Sequence, residues 1–440
     1  SGDATNDLIS FSVNTAGQLQ HSRGGSFGFA SNLDLDSGTA GEQSQLVSEI
    51  TSFRYDDAGG NDRLFFGGAN PFSFGDAGLY ALAGQITVNA NTVINSTGGF
   101  IEMIAQQKML LDAGSSLTTV DGGISLKGNP NGNSIGELVG LETLGTSIRT
   151  SGQGNIELSG FGGNDSSEYQ NHGILLGPGT SIESTKQSSP AGTISINGTG
   201  GDSRGSSHGV SINGADVVLR SAYGDIEIVG QGGLFSSGNG SSFYGVDIKS
   251  ADLIESTGIG ADAATITIDG TGGAGSRTNY GVQLLGATTD ITSVDGNIRI
   301  VGQGGGDGSS DSNYGVYSTG LGSIRSSGTS VDAATIAIIG DGGNGTRSSS
   351  GILLSGVATE LTSAYGDISF VGRGGAGGGY SNQGGFVGFA ISSTGSGEMA
   401  AKIDITGTGG INSSGAGVSV SGSVTSIDGD INIAGTGTGD

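Results

Sequence analysis

The sequence has no cysteine and no tryptophan, and it contains only four prolines. Without cysteine the chain can form no disulfide and can do no thiolate chemistry, which suits an extracellular protein that does not depend on oxidative folding. No run of about 18 apolar residues is present, so the sequence predicts no membrane-spanning helix. The chain starts at Ser1 without a methionine or an apolar leader, and we expect a mature or trimmed product.

Positive charge is also scarce, because 16 Lys and Arg stand against 41 Asp and Glu, for a net charge of −25. Such a surface repels nucleic acid and anionic membranes, so neither is expected as a partner. It attracts cations, and Ca²⁺ in particular prefers oxygen ligands. Ca²⁺ is therefore the one cofactor that the sequence leaves open.

A short Gly-rich segment gives the weak candidates for such a Ca²⁺ site. The stretch GGNDRL (59–64) is similar to a single imperfect copy of the Gly-Gly-x-Gly-x-Asp repeat that binds Ca²⁺ in stacked copies. An ordinary turn, in which glycine supplies a positive φ, is the preferred interpretation of one isolated copy. The candidate ligands are Asp56, Asp57, Asn61 and Asp62.

Glycine, by contrast, is abundant at 92 of 440 residues, and the absence of a Gly-X-Y period excludes collagen. An Ile-x-Ile burst followed by a Gly-rich turn recurs ten times, with alternating short and long spacings that make a double unit of about 70 residues. We expect the first residue of each burst to stack in a ladder. After Ile124 these residues are Ile156, Ile194, Ile226, Ile266, Ile298, Ile336, Ile368, Ile403 and Ile431.

Each repeat holds three short apolar bursts, turns and one loop of variable length. This pattern predicts an all-β parallel solenoid with three short strands per coil, in which each strand pairs with its counterparts above and below. We expect about ten to twelve coils over residues 86–440 and a β-rich cap or docking region over residues 1–85. The residues between the paired isoleucines place no like charges in adjacent coils, as a stacked register requires.

An aromatic or histidine residue precedes the second burst in five consecutive copies: His172, His208, Tyr244, Tyr280 and Tyr314. Two stacked histidines could bind a metal ion. The preferred interpretation is a stack of rings where the loop re-enters the sheet. The sequence offers no further cofactor-binding residue.

The units SLTTVDGGISLKG (116–128), ITIDGTGGAGSRTNYGV (266–282) and DITSVDGNIRIVGQGG (290–305) resemble the repeats of filamentous-haemagglutinin-like, or β-strand-repeat, bacterial surface proteins. The resemblance covers roughly residues 85–440. It implies a right-handed parallel β-helix, secretion to the bacterial surface or beyond, and an adhesive or matrix role. It supplies no catalytic residue.

These observations favour a secreted structural protein of an extracellular filament, biofilm matrix or adhesin. The sequence ends directly after a strand, and the open edge there either continues in a longer parent protein or mates with another molecule. We expect copies to assemble head to tail through it. The alternative is a monomeric adhesin segment whose loops bind glycans.

A polysaccharide-degrading β-helix enzyme is less favoured, because the repeated carboxylates are typical turn formers and no cluster breaks the repeat. We therefore predict no enzyme. The repeated acids are Asp225, Asp295, Asp367, Asp428 and Asp430.

Overall fold

The computed structural model describes residues 7–23, 45–56, 61–136, 138–167, 169–236, 240–250, 253–377, 382–411 and 415–438. Within these ranges the protein is all-β, with one short 3₁₀ helix at Val47–Glu49. The strands are, in chain order, β1 (Leu8–Val13), β2 (Gln18–Arg23), β3 (Gln45–Leu46), β4 (Ser52–Asp56), β5 (Arg63–Phe66), β6 (Phe72–Ser73), β7 (Gly78–Val88), β8 (Val93–Asn95), β9 (Ile101–Leu111), β10 (Ser116–Thr119), β11 (Ile124–Gly128), β12 (Leu141–Thr143), β13 (Ser147–Thr150), β14 (Ile156–Phe161), β15 (Ile174–Leu176), β16 (Ser181–Ser184), β17 (Ile194–Thr199), β18 (Val210–Asn213), β19 (Val218–Ser221), β20 (Ile226–Gln231), β21 (Val246–Lys249), β22 (Leu253–Ser256), β23 (Ile266–Thr271), β24 (Val282–Ser293), β25 (Ile298–Gln303), β26 (Val316–Ser326), β27 (Ile336–Asp341), β28 (Ile352–Ser363), β29 (Ile368–Arg373), β30 (Gly385–Ser393), β31 (Ile403–Thr408), β32 (Val418–Val420), β33 (Val424–Ser426) and β34 (Ile431–Thr436).

These strands stack in parallel along three faces, so the fold is a parallel β-solenoid, as the repeat predicts. The first face holds β4, the first halves of β7 and β9, then β11, β14, β17, β20, β23, β25, β27, β29, β31 and β34. The second face includes β5, β12, β15, β18 and β21, and the third includes β6, β8, β10, β13, β16, β19 and β22. The right-handed sense of the coil stays a prediction.

One apolar core runs through the whole stack, from Ile9 to Ile405. It is thin, because each coil contributes only a few inward residues, but every coil covers the faces of its neighbours. The structure pairs each first-face isoleucine with the next, from Ile124 through the whole predicted column to Ile431. All members except the last are buried.

In the earlier coils the second and third faces are built from separate strands. In later coils a single strand contributes to both faces. From β24 on, one bent strand serves both faces in β24, β26, β28 and β30, with register shifts at the corner in all three pairings between them. Gly286, Gly320 and Gly356 adopt φ values of +106°, +129° and +135° there, which residues with a Cβ rarely adopt. The corner is thus turned by glycine within a strand rather than by a turn between two strands.

The coils begin earlier than the predicted boundary at residue 86. Strand β4 pairs in parallel with β7, β5 pairs with the second half of β7, and β6 pairs with β8. The Phe-rich segment before residue 86 therefore builds core of the same solenoid, with large rings in place of isoleucine. Only β1, β2 and β3 depart from the coil pattern, because β2 pairs antiparallel with both β1 and β3, while β1 also lies parallel to β5.

Candidate functional site

The Gly-rich loops leave the solenoid between the first and second faces and return close to the point where they left. In one coil the loop starts after Gly230 and ends at Gly245. A Cβ on Gly230 would meet the carbonyl oxygen of Gly245, so only glycine fits at the base of this loop. The same close approach recurs at Gly160 and Gly173, Gly198 and Gly209, Gly270 and Gly281, Gly302 and Gly315, Gly340 and Gly351, Gly372 and Gly384, and Gly407 and Gly417.

The loops are themselves stacked on one another. Isolated parallel bridges join Tyr169 to Gly205, Gly205 to Ser241 and Ser241 to Arg277 across four successive coils. The sequence predicted loops of variable length, and it did not predict that they stack on one another from coil to coil. The signal was present, however, in the residue before each of the five rings of the predicted stack and at the same position of two later coils. That residue is fully buried in seven coils, as Asn171, Ser207, Phe243, Asn279, Asn313, Ser349 and Asn382.

This buried column is mostly polar and its members are hydrogen-bonded between coils. Asn279 Nδ2 donates to Asn313 Oδ1 at 2.9 Å, and the Asn279 carbonyl accepts the N–H of Gly305 at 2.8 Å. A buried amide N–H without a partner would cost about 1–3 kcal/mol, and the Asn279 side chain avoids that cost by donating from Nδ2. The described parts of neighbouring loops therefore share hydrogen bonds, and we call this stack of loop residues beside the solenoid, from Tyr169 to Asn382, the arm.

The predicted ring stack lies where this arm rejoins the second face. His172 and His208 stack with ring centroids 4.7 Å apart, and His208 stacks on Tyr244 at 4.6 Å with nearly parallel planes. Tyr244 and Tyr280 continue the stack at 4.8 Å. Beyond them Tyr280, Tyr314 and a residue that the sequence analysis missed, Tyr317, form a cluster with separations of 4.5–5.2 Å. The rings pack face to face against one another, and all five predicted members of the stack are buried.

Backbone hydrogen bonds fix the protonation of the two imidazoles. His172 Nδ1 accepts the N–H of His208 at 3.0 Å, and His208 Nδ1 accepts the N–H of Tyr244 at 3.2 Å. A neutral imidazole whose Nδ1 accepts carries its proton on Nε2. In His208 that atom lies 3.3 Å from Asp247 Oδ2.

Asp247 lies in the middle of β21, on the outward side, and is nevertheless only 1% exposed. Lys249, two residues on, donates to Asp247 Oδ2 at 2.7 Å. Burial raises the pKa of Asp247 to about 6, and the lysine opposes that rise. Because the arm and the ring stack cover this side of the sheet, a position that alternation assigns to solvent becomes a buried carboxylate.

Burial shifts the pKa values of the two histidines in the opposite direction, downward. It lowers the pKa of His172 to about 3, with a smaller contribution from the Lys249 charge. It holds the pKa of His208 well below its ordinary value, with His172 and Lys249 adding to the effect. Both imidazoles are therefore neutral at physiological pH. The cluster fastens the base of the loops to the sheet through Asp247 Oδ2, which contacts both His208 and Lys249.

The described Ca²⁺ candidates each contact a different protein group. Asp57 lies outside the described residues. Asp56 forms an ion pair with Arg54 at 2.5 Å, and Asn61 Oδ1 accepts from Gln107 Nε2 at 2.8 Å. Asp62 is buried, and its Oδ1 accepts the N–H of Asp7 at 2.7 Å. Within the described ranges no group of three or more His, Cys, Asp or Glu side chains is arranged to hold a metal ion.

The repeated aspartates act on the backbone of neighbouring coils. Asp225 Oδ1 and Asp367 Oδ1 each accept a backbone N–H of the next coil at 2.8 Å. Asp295 and Asp428 accept the N–H of Gly260 and Gly397 at 2.7 Å, and in each case the glycine belongs to the preceding corner. These carboxylates therefore hold corners in place, as the sequence pattern suggests.

Comparison with protein-family models, with curated proteins and with solved structures gives no match for this chain. No helix among the described residues is long and apolar enough to cross a membrane.

Proposed function

We propose that this chain is a structural protein, a stiff rod that belongs to an extracellular filament, matrix or adhesin at a bacterial surface. One observation carries the proposal: a single core and an unbroken column of paired isoleucines run from coil to coil without a hinge in the described residues. The spacing between stacked strands gives the thirteen strands that the described residues place on the first face a length of about 60 Å. Every strand of that column except the first and last is hydrogen-bonded to a neighbouring strand on both edges.

The loops add to the stiffness rather than to mobility. Their stacking places a second set of coil-to-coil hydrogen bonds beside the sheet, as between Gly305 and Asn279 and between Gly343 and Asn313. A rod with two parallel ladders resists bending and presents few places where a protease can engage a flexible chain. This suits a load-carrying element outside the cell.

End-to-end assembly is the second part of the proposal. Strand β34 pairs with β31 on one edge, and Ile431 and Ile433 are 43% and 47% exposed, whereas their counterparts in the previous coil are buried. An open strand edge over an exposed apolar column is suited to a further coil of the same kind. We propose that a second copy supplies that coil, giving a head-to-tail contact that does not close and therefore a filament.

Glycan binding by the loops is a second candidate, and one observation favours it. Tyr169 is 51% exposed on the arm, and the guanidinium of Arg204 lies 5.8 Å from its ring centroid. An exposed ring beside a cation is a suitable surface for a sugar. The Tyr169→Ala variant tests this, because it removes the ring and leaves the solenoid core intact.

Negative-stain electron microscopy of the purified chain, with and without Ca²⁺, tests the rod and its assembly. We expect rods that join into filaments with an axial repeat close to one molecule. Compact particles would contradict the rod. Single rods at every concentration would contradict end-to-end assembly, and would favour an adhesin or scaffold segment.

A further inference from the structure

A surface cleft of about 580 Å³ lies along the third face of the first coils. Four of its lining residues, Ser73, Asn95, Thr118 and Arg149, stand in register on successive strands β6, β8, β10 and β13. Ser48 of the 3₁₀ helix and Ser151 at the corner also line it. We call this feature, defined by these six residues, the Arg149 cleft.

The charge of the cleft differs from that of the rest of the molecule. The chain carries 41 acidic residues, yet the described lining of the cleft contains no Asp and no Glu. Arg149 is the one charged side chain in this described lining. In a protein of net charge −25, this cleft is therefore a place where an anionic group meets a cation that, among the described residues, forms no ion pair.

Arg149 also ends a ladder of alternating charge on the third face. Arg149, Glu183, Arg220 and Glu255 occupy the same outward row in successive coils. Arg220 Nε donates to Glu255 Oε2 at 2.7 Å. On the other side of Arg149 the row continues with Thr118 instead of an acid. Among the described residues no carboxylate lies within ion-pair distance of Arg149, so the repeat is broken at the cleft.

The remaining contacts orient the polar groups of the cleft. Arg149 Nε donates to Thr185 Oγ1 at 3.2 Å, which holds the side chain while its terminal N–H groups stay available. Thr118 Oγ1 donates to Asn95 Oδ1 at 2.6 Å, and this leaves the amide Nδ2 of Asn95 as a donor. A guanidinium matches the two oxygens of a carboxylate or sulfate. Hydroxyl and amide groups beside it match the hydroxyls of a sugar chain.

We propose that the Arg149 cleft binds an acidic oligosaccharide, with the carboxylate or sulfate of one sugar unit on Arg149 and the flanking units on the hydroxyl and amide row. The cleft has no aromatic side chain in its described lining to stack a nucleobase, which favours a saccharide over a nucleotide. The row runs along the solenoid axis, so an extended chain lies across successive coils. This site is separate from the loops and does not depend on end-to-end assembly.

Isothermal titration calorimetry on the full chain tests the proposal, with oligogalacturonate, a sulfated oligosaccharide, a neutral malto-oligosaccharide and inorganic sulfate as probes. The variant Arg149→Gln removes the charge. Arg220→Gln is the matched control, because it lies in the same row two coils away and is paired with Glu255. We expect an acidic oligosaccharide to bind, the neutral one not to bind, and Arg149→Gln to weaken binding about tenfold or more. Arg220→Gln should leave it unchanged.

The outcomes separate the possibilities. A preference between the galacturonate and the sulfated chain identifies the acid, and either supports the site. Weaker binding by Arg149→Lys, which keeps the charge but loses the planar fork, supports contact with the anion itself. Inorganic sulfate binding as tightly as the oligosaccharide, equal binding of the neutral chain, or full binding by a folded Arg149→Gln variant would overturn the proposal. Absence of binding here leaves the rod seen by microscopy unaffected.

Discussion

Asp225 Oδ1 accepts the backbone N–H of Thr265, 40 residues later in the chain, at 2.8 Å. The same bond joins Asn155 to Thr193 and Asn297 to Thr335 at 3.0 Å, and a fourth joins Asp367 to Lys402. It occurs at every second coil. The coils are therefore linked in pairs, and this accounts for the double repeat of about 70 residues in the sequence.

We predict that Asp225→Ala weakens the coil pair by about 1 kcal/mol, because the Thr265 N–H loses its acceptor, as at a helix N-cap. Asp225→Asn should cost little, since asparagine fills this role in two other pairs. Hydrogen exchange at the Thr265 amide is the measurement, because global unfolding of a repeat protein need not be two-state. Equal protection in the alanine variant and the wild type would contradict the prediction.

The Ile column could be derived from the sequence because its spacing is visible without knowledge of the fold. Ile266 and Ile298, for example, lie in the same position of the same short motif, and the register follows once the strands are parallel. The alternation of apolar and polar residues within the motif indicates which side chains face the core and which face outward. The start of the solenoid could not be derived in this way, because Phe53 and Phe66 fill the core there and the motif is absent.

The buried state of Asp247 also escaped the sequence analysis, and the reason is physical. Alternation places Asp247 outside the sheet, where an acid is ordinary. It is buried because His208 of the ring stack lies over it, 3.3 Å from Oδ2, and the sequence analysis predicted only loops of variable length on this side. The recurring pair of glycines, such as Gly230 and Gly245, was the available signal of a tight loop base.

We predict that Gly230→Ala is strongly destabilising, by about 3 kcal/mol or more, because its Cβ would be placed against the Gly245 carbonyl and the backbone must move. The matched control is Gly385→Ala. Gly385 lies in the second-face column next to Ile352 and Val418, and a Cβ there meets nothing within 4 Å.

The control should be neutral or stabilising by up to about 1 kcal/mol, because alanine loses less chain entropy on folding than glycine. Urea denaturation of both variants gives the comparison. Similar losses for the two would mean that glycine entropy, and not the closed loop base, sets the cost.

The ring stack predicts a specific pH dependence. The pKa of His172 is about 3 in the folded protein and near 6.5 when unfolded. A base with a lowered folded pKa contributes stability that is fully present above pH 6.5. That stability is lost as the pH falls toward 3, at roughly 1.4 kcal/mol per pH unit. His172→Tyr places the ring of the later coils at this position, and its stability should fall less steeply with acid than that of the wild type.

Asp247 makes stability depend on pH in the opposite direction and serves as the control. Its pKa of about 6 in the folded protein exceeds the unfolded value of 3.8, so its contribution is fully present below pH 3.8 and is lost as the pH rises through 6. Asp247→Asn removes this compensation and should make acid destabilisation steeper between pH 6 and 4. Thermal unfolding at a series of pH values measures both slopes. Parallel curves for all three proteins would show that the cluster does not titrate as described.

The open edge at β34 leads to a prediction about filaments. Ile368 N–H donates to the Lys402 carbonyl at 2.8 Å, and Ile403 N–H donates to the Asp430 carbonyl at 2.9 Å. Each first-face isoleucine thus donates toward the following coil, and by the same pattern the N–H of Ile431 points away from β31. A coil from a second copy would accept from it.

Ile431→Pro removes that donor while leaving the bonds that face β31, so we expect it to abolish end-to-end joining and leave single rods. Ile431→Ala is the control, because it shortens the exposed side chain but keeps the N–H. It should retain filaments with at most weakened contacts. Filament length in negative stain and sedimentation velocity give the readout. If both variants form filaments like the wild type, the joining surface lies elsewhere on the rod, since a ladder of parallel strands cannot continue through a missing donor without losing stability.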